Sequence, residues 1–385
     1  MSEFRRFFRC WRALRAFKRL PDACRHIVIY SESSQDWHHH EKLIRHLTDV
    51  LGKVVCYVSS DETDPGLTQD SASILPFYIG TGLFRIIFFQ TLQADVMLTQ
   101  LLDLDNLDLK RSVHPVHYIH MFHSMVSTHM ADRADSYDHY DTILCAGPLH
   151  EKEIRKRESL HNLQPKQLVE HGYARLEQLI DERREPPEPD GQNIHVLLAP
   201  SWGDQSILNL YGENLTGILL DAGFQLTLRP HFQTRWNTPD VIDRIVARFG
   251  DHAQFTLVEQ MGESDSLYDS HVMITDWSGA GIDYGLGLEK PVLYIDVPPK
   301  SRNATYRELG IEPFESRIRE SIGVVLAPEK IATAPAVIRE LLVDPQQFRE
   351  QVRSLRQESV CNLGCSATAG AIAVARIANE VADGA

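Results

Sequence analysis

The sequence predicts an α/β protein of two Rossmann-type units, each a parallel sheet with helices on both faces. Three observations carry this. Short apolar runs alternate with segments of helical period along most of the chain. The alternation stops at 181–193, DERREPPEPDGQN, which holds three prolines and no apolar period, and then restarts. The 385 residues suffice for two domains of ordinary size, each with its own core.

The elements follow in order. Residues 1–20 read as one helix, with Phe4, Phe7, Phe8, Trp11, Leu14 and Phe17 recurring every three or four residues among Arg and Lys. Seven basic residues against Glu3 give this segment +6 and leave −20 for the rest of a chain at −14. A basic, aromatic helix of this kind suits an anionic membrane surface; a seat on the acidic body or across a dimer interface is the other reading. Residues 21–180 form the first unit, with strands at His26–Tyr30, Lys53–Val58, Arg85–Phe89, Asp95–Thr99, Val116–Phe122 and Thr142–Cys145 and a helix over 37–51. After the linker at 181–193, residues 194–340 repeat the pattern, with strands at Ile194–Ala199, Gln225–Leu228, Phe255–Val258, Val272–Thr275 and Pro291–Ile295. Helices fall around 212–222, at 239–249 and at 279–287, and residues 341–385 close the chain as helices that return toward the first unit. Open parallel sheets bind ligands beyond their strand C-termini, so two such sheets facing a central cleft give a GT-B-like architecture. No G-x-G-x-x-G follows the first strand and no P-loop occurs, which disfavours nicotinamide, flavin and P-loop enzymes.

Composition excludes other classes. No run approaches 18 apolar residues, so no transmembrane helix is expected, and basic residues interrupt the N-terminal stretch too often for a signal peptide. The six cysteines do not make a disulfide scaffold, and Cys361 and Cys365 are spaced CxxxC; free thiols in a reducing cytoplasm are expected. An acidic body is a poor nucleic-acid binder.

Four segments can carry chemistry. In His271-Val-Met-Ile-Thr-Asp-Trp-Ser-Gly-Ala-Gly-Ile-Asp-Tyr284 a strand ends at Thr275, Asp276 or Ser278 can cap the next helix, and small residues bare its first amides. This is an anion site, or else an ordinary capped helix, and Asp283 lies two turns after Asp276. Leu226-Thr-Leu-Arg-Pro-His231 delivers Arg229 and His231 to a strand end, where they can offset diphosphate charge; a surface turn is the alternative. His114, His117, His120 and His123 fall at a spacing of three, which does not put metal ligands on one face of a strand. The segment from His120 to Ser124 instead offers a general base at a strand end. The loop 31–40 holds Trp37, His38, His39 and His40, with an acceptor-binding role or a solvated helix start as the two readings.

Between about residues 115 and 300, segments in order along the chain resemble those of the CDP-glycerol glycerophosphotransferase family, which includes teichoic acid primases and polymerases. Met-Phe-His-Ser124 resembles its W-H-G-T segment, Glu170-His-Gly-Tyr-Ala-Arg-Leu-Glu177 its G-x-P-R-x-D segment, and Leu198-Ala-Pro-Ser-Trp202 its A-P-T-W segment. Arg229-Pro-His231 resembles R-x-H, and Ile274–Gly279 with Asp283-Tyr284 and Lys290-Pro-Val292 resembles T-D-Y-S-S…D-Y…K-P. Coverage runs from about 115 to 300, and Phe122, Ser124, Ala174 and Glu177 depart from the pattern. The resemblance implies a GT-B fold and transfer of glycerol phosphate, or another alditol phosphate, from a CDP-activated donor to a hydroxyl of a lipid-linked or growing surface glycan, with CMP released. It implies His123 as catalytic base and Arg229, His231, Ser278 and Gly279 at the diphosphate. Asp276 and Asp283 are then expected at the ribose or nucleotide, and Trp37, His38 and His120 at the acceptor. No metal or further cofactor is implied, and the enzyme would work at the inner face of the membrane, anchored by residues 1–20. An inverting glycosyltransferase using a nucleotide sugar, and a catalytically silent binding module of a glycan assembly, are the other readings.

Overall fold

The computed structural model describes residues 3–102, 104–106, 108–184, 193–258 and 265–384. Most of the expected linker, at 185–192, lies outside the described residues. The chain divides into two compact units. Unit 1 comprises Met1–Ser124, Asp132–Arg175 and Val360–Ala385, and unit 2 comprises Met125–Ala131 and Leu176–Ser359.

Unit 1 begins with helix α1 (Glu3–Lys18), strand β1 (Ile27–Ser31) and helix α2 (Trp37–Arg45), which a π turn (His46–Val50) extends. Strands β2 (Val55–Ser59) and β3 (Ile74–Tyr78), helix α3 (Leu83–Thr91), and strands β4 (Val96–Thr99), β5 (His117–Met121) and β6 (Thr142–Cys145) follow. Helix α4 (Pro148–His161) and strand β7 (Gln167–Glu170) complete the sheet, whose order is β3-β2-β1-β4-β5-β6-β7. Every pair is parallel, with Ile27 opposite Val55 on one side and Val96 on the other. Strands covered on both faces must be apolar throughout, and all residues of β1 and β2 are buried.

Helix α5 (Ala174–Asp181) leads into unit 2. There β8 (His195–Leu198), α6 (Ile207–Asp221), β9 (Gln225–Leu228), the short α7 (Phe232–Asn237), α8 (Pro239–Phe249) and β10 (Phe255–Leu257) form the first half. Next come α9 (Asp265–Asp269), β11 (Val272–Thr275), α10 (Gly279–Leu288), β12 (Val292–Ile295), α11 (Phe314–Arg317), β13 (Gly323–Leu326), α12 (Ala334–Leu341) and α13 (Pro345–Ser359). The order β10-β9-β8-β11-β12-β13 is again all parallel. In both sheets the first strand of the unit lies between its second and fourth. Its connections therefore leave to opposite sides, and a crevice opens at its carboxyl end.

The domain bounds differ from the sequence reading. Residues 341–359 stay with unit 2, because Arg353 and Arg356 of α13 hold the buried Glu289 at 2.8 and 3.0 Å, where Arg183 joins them. Helix α14 (Ser366–Gly384) belongs to unit 1, where Ala371, Val374 and Ile377 enter the core beside Leu43, Ile44 and Leu98. Four strand assignments also differ. Strands β7 and β13, which the sequence reading did not place, are partly exposed strands at the edges of their sheets. Arg85–Phe89, expected as a strand, lies inside α3; a short apolar run such as Ile86–Phe89 fits either element, and here Gly82 at φ +79 opens a helix. Strand β3 contains Pro76, which broke its sequence signal; the sheet tolerates the missing N–H because β3 is an edge.

Helix α1 packs one face and exposes the other. Cys10, Leu14 and Phe17 are buried, with Phe17 edge-on to Phe77 and Phe88. Phe4, Phe7, Phe8 and Trp11 remain exposed.

Gly172 makes the turn after β7 at φ +102, where a Cβ would stand 2.4 Å from the Cys361 carbonyl oxygen. Gly172→Ala therefore meets both an unfavourable backbone region and a backbone clash, and should cost about 1–3 kcal/mol or more. Chemical denaturation should show the lowered midpoint; an unchanged midpoint would mean the turn relaxes freely.

Candidate functional site

In unit 1 the chain leaves β5 at Met121 and delivers His123, exposed, beyond its carboxyl end. Tyr173, buried, donates from Oη to the His123 carbonyl at 2.9 Å and fixes this loop. His39 comes from α2: its ring centre lies 6.1 Å from that of His123 and stacks nearly parallel to Tyr173 at 6.4 Å. Helical geometry explains why His39 is the residue chosen. Successive residues turn by about 100°, so Trp37 and His40 face the core, His38 points to solvent and His39 turns to His123. Burial pushes the His39 imidazole well below its usual pKa, and the neighbouring His123, His40 and Arg175 push the same way.

The residues expected at the acceptor separate. Trp37 is core, edge-on to Tyr57 at 5.3 Å. His120 is 0% exposed and enclosed by Phe122, Tyr137 and Tyr140 at 4.9–5.0 Å, with its pKa driven well down by burial. Neither can meet a ligand, and both expectations are corrected. His38 is exposed, on the solvent side of α2. The histidines spaced by three do not converge: His114 meets Gln93, His117 bonds Thr142 at 2.8 Å, His120 is enclosed and His123 is exposed. His39 escaped the sequence reading because its three-histidine run gives no reason to prefer one ring until the core face of α2 is known.

In unit 2 four neighbouring strands, β9, β8, β11 and β12, send their C-terminal loops to one edge. Asp276, directly after β11, is 0% exposed and accepts from the Ser201 N–H at 2.7 Å and the Ile207 N–H at 2.9 Å. It ties the loop after β8 across the sheet's switch point. The expected nucleotide contact of Asp276 is corrected: both carboxylate oxygens are engaged inside the protein, and its role is to position that loop. Ser278 caps α10, its Oγ accepting from the Ala280 N–H at 3.3 Å, and leaves its own O–H to donate beside Gly279. The helix lies close to the sheet because Gly281 has no Cβ, which would stand 2.8 Å from Thr275 Cγ2. Asp283, half-buried, is on the second turn of α10.

Arg229 and His231 follow β9, both half-buried. His231 caps α7, its Nδ1 accepting from the Gln233 N–H at 3.1 Å. Burial, with Lys300 adding to it, brings its pKa down to about 4. At neutral pH it is an uncharged Nε2–H donor, not the cation the sequence suggested. The charge nearby is Lys300, whose Nζ stands 3.9 Å from the centre of the Trp202 ring. Sequence reasoning passed over it because Val-Pro-Pro-Lys after a strand carries no motif.

No protein-family model matches the chain, and no curated protein matches it in sequence. Solved structures do match. A His-to-Asn variant of the wall teichoic acid polymerase TagF, soaked with CDPG, aligns over 99% of this chain and 99% of its own, at TM-score 0.54 and 13% identity. A UDP-N-acetylglucosamine 2-epimerase aligns over 92% and 94%, at TM-score 0.55 and 14% identity. WaaG, a glycosyltransferase involved in lipopolysaccharide biosynthesis, aligns over 90% and 99%, at TM-score 0.53 and 11% identity. At these identities the likeness shows the fold, which is GT-B-like with two Rossmann-like units.

Asp276→Ala removes two charge-assisted hydrogen bonds and leaves two buried N–H groups without acceptors. It should cost about 2–4 kcal/mol, read as a lowered unfolding midpoint. A midpoint equal to wild type would return Asp276 to the list of ligand-binding candidates.

Proposed function

We propose that the chain is a transferase that moves glycerol phosphate, or a related alditol phosphate, from a CDP-activated donor to a hydroxyl of a lipid-linked or growing surface glycan. The observation that supports this best is the setting of His123, an exposed imidazole at a parallel strand's end, flanked by His39 and anchored by Tyr173. It stands in the segment that resembles the catalytic motif of the glycerophosphotransferases. In this reading His123 takes the acceptor's hydroxyl proton. The acceptor oxygen bonds to the phosphorus that bears glycerol, the bond from that phosphorus to the bridging oxygen breaks, and CMP leaves. His39 stays uncharged beside the imidazolium that forms on His123, so no like charge opposes the proton transfer. Arg229, His231, Ser278 and Gly279 of unit 2 take the diphosphate, and Asp283 the ribose. No resident metal or cofactor is assigned.

The acceptor's lipid gives a use to α1. No helix among the described residues is long and apolar enough to cross a membrane. The outward face of α1 presents Phe4 and Phe8 with Arg5, Arg9 and Arg12 around a cavity of about 510 Å³, and Trp11 is exposed on the same helix. In a chain otherwise at −20, this segment at +6 is the surface that an anionic bilayer would attract. The aromatic rings would enter the headgroup region.

His123→Ala should lower turnover by about 10²- to 10⁴-fold, the usual scale for a general base, with CDP affinity unchanged. The assay is CMP release from CDP-glycerol; release of a nucleoside diphosphate from a nucleotide sugar instead would establish the glycosyltransferase reading. Near-normal turnover in this variant would remove His123 from the reaction.

Membrane docking is tested without deleting α1, because Cys10, Leu14 and Phe17 belong to the core. The triple variant Phe4→Ser, Phe8→Ser, Trp11→Ser should lose co-sedimentation with anionic vesicles and keep its melting temperature. Undiminished sedimentation would exclude this face as the anchor.

A further inference from the structure

We propose that Lys300 supplies a second positive charge, beside that of Arg229, to the donor's diphosphate in unit 2, and that the ring face of Trp202 holds its ammonium in place. The inference deepens the reading above and rests on it, since it takes unit 2 to bind a nucleotide diphosphate.

His231 alone does not meet a diphosphate's charge. Its Nδ1 is an acceptor and its ring is neutral, so it offers one N–H and no charge. Of the groups assigned to the diphosphate, His231, Ser278 and Gly279 are neutral and Arg229 brings one charge, which balances the several negative charges of a diphosphate incompletely. Lys300 is half-buried and, among the described residues, makes no ion pair and no hydrogen bond. A desolvated ammonium without an anion is costly, and the ring face of Trp202 offsets only part of that. The arrangement is that of a cation held ready for an anion.

Position supports the same conclusion. Trp202 follows β8, His231 follows β9, Ser278 follows β11 and Lys300 follows β12, all at carboxyl ends of adjacent parallel strands. Trp202 also lies 6.2 Å from His231, ring centre to ring centre. The Lys300 loop is fixed from its far side: the Arg302 N–H donates to the Met130 carbonyl at 3.1 Å, and Asn303 Nδ2 to the His129 carbonyl at 2.8 Å. Loop anchoring limits the motion that would otherwise blur a single charge.

The groups facing Lys300 are the charged Asp276 and Arg302 and the neutral His231. The Asp276 carboxylate favours the ammonium but is occupied by the Ser201 and Ile207 amides, and Arg302 opposes it. Burial dominates and lowers the Lys300 pKa to about 8. A bound diphosphate would raise it. The sign follows: affinity is full below pH 8 and declines as pH rises through and above 8, with proton uptake on binding.

The test is calorimetric titration of the full chain with CDP and with cytidine. For wild type, the CDP dissociation constant should hold steady to pH 7.5 and rise about tenfold by pH 9, a range above the last ionisation of CDP. Lys300→Met should weaken CDP about 10- to 30-fold at pH 7, remove the rise at pH 9 and leave cytidine unchanged. Lys300→Arg should keep near-normal CDP affinity and bind equally at pH 7 and 9, because a guanidinium does not titrate there. A purely structural Lys300 would not produce that flat profile. CDP binding by Lys300→Met within twofold of wild type would overturn the inference and leave the proposed reaction intact. Binding of UDP but not CDP by wild type, lost in Lys300→Met, would overturn the donor and leave Lys300 in its role. Binding of neither nucleotide at millimolar concentration would overturn both.

Discussion

Parallel pairing governs what this chain can do with its side chains. Each strand is covered on both faces, so its interior residues have no access to solvent and must be apolar or internally paired. His120 shows the consequence: a histidine one residue from the end of β5 is enclosed by aromatic rings. Three residues further on, His123 is exposed. Chemistry is therefore confined to the few residues after each strand, and the order of strands decides which of those loops are neighbours. In unit 2 the fourth strand lies against the first, which joins the loops of Trp202 and Ser278 in space though they are far apart in sequence. Asp276 secures that junction through backbone amides, so the geometry there does not depend on a surface side chain.

The same burial sorts the charges. His39, His40, His120, His171 and His231 are all held below the ordinary histidine pKa, chiefly by desolvation. In such a setting imidazoles act as neutral donors, acceptors or packing rings. Positive charge at the sheet edges falls to Arg and Lys, as with Lys300 over Trp202. The aromatic contact is part of the electrostatics, since it holds an ammonium where water is scarce.

Much of this was legible from sequence, and the failures have physical causes. The alternation of apolar runs located most strands because strands buried on both faces must be continuous apolar segments. It failed at the edge strands β3, β7 and β13, of which β3 accepts Pro76, and at α3, where Ile86-Ile-Phe-Phe89 reads equally as strand or helix. Strand ends were also legible, which is why His123, Arg229, His231 and Ser278 lie at loop positions. What sequence does not carry is direction. Trp37, His38, His39 and His40 are four consecutive residues, and only the core face of α2 separates them. Asp276 has the composition of a ligand-binding residue, and its amide partners at 201 and 207 are some seventy positions away.

The placing of α14 has a consequence for how the molecule is made. Its residues Ala371, Val374, Ala375, Ile377 and Ala378 fill the core under α2 and β4, yet they are synthesised after the whole of unit 2. Synthesis runs from the N-terminus, and domains generally fold as units. Unit 1 therefore emerges first but stays unfinished, with Leu43, Ile44 and Leu47 lacking their cover. Unit 2 has all its strands before the chain reaches Ser359 and can close first. The second unit can thus be complete while the first still lacks part of its core, and the nascent chain carries an open apolar seam until α14 arrives.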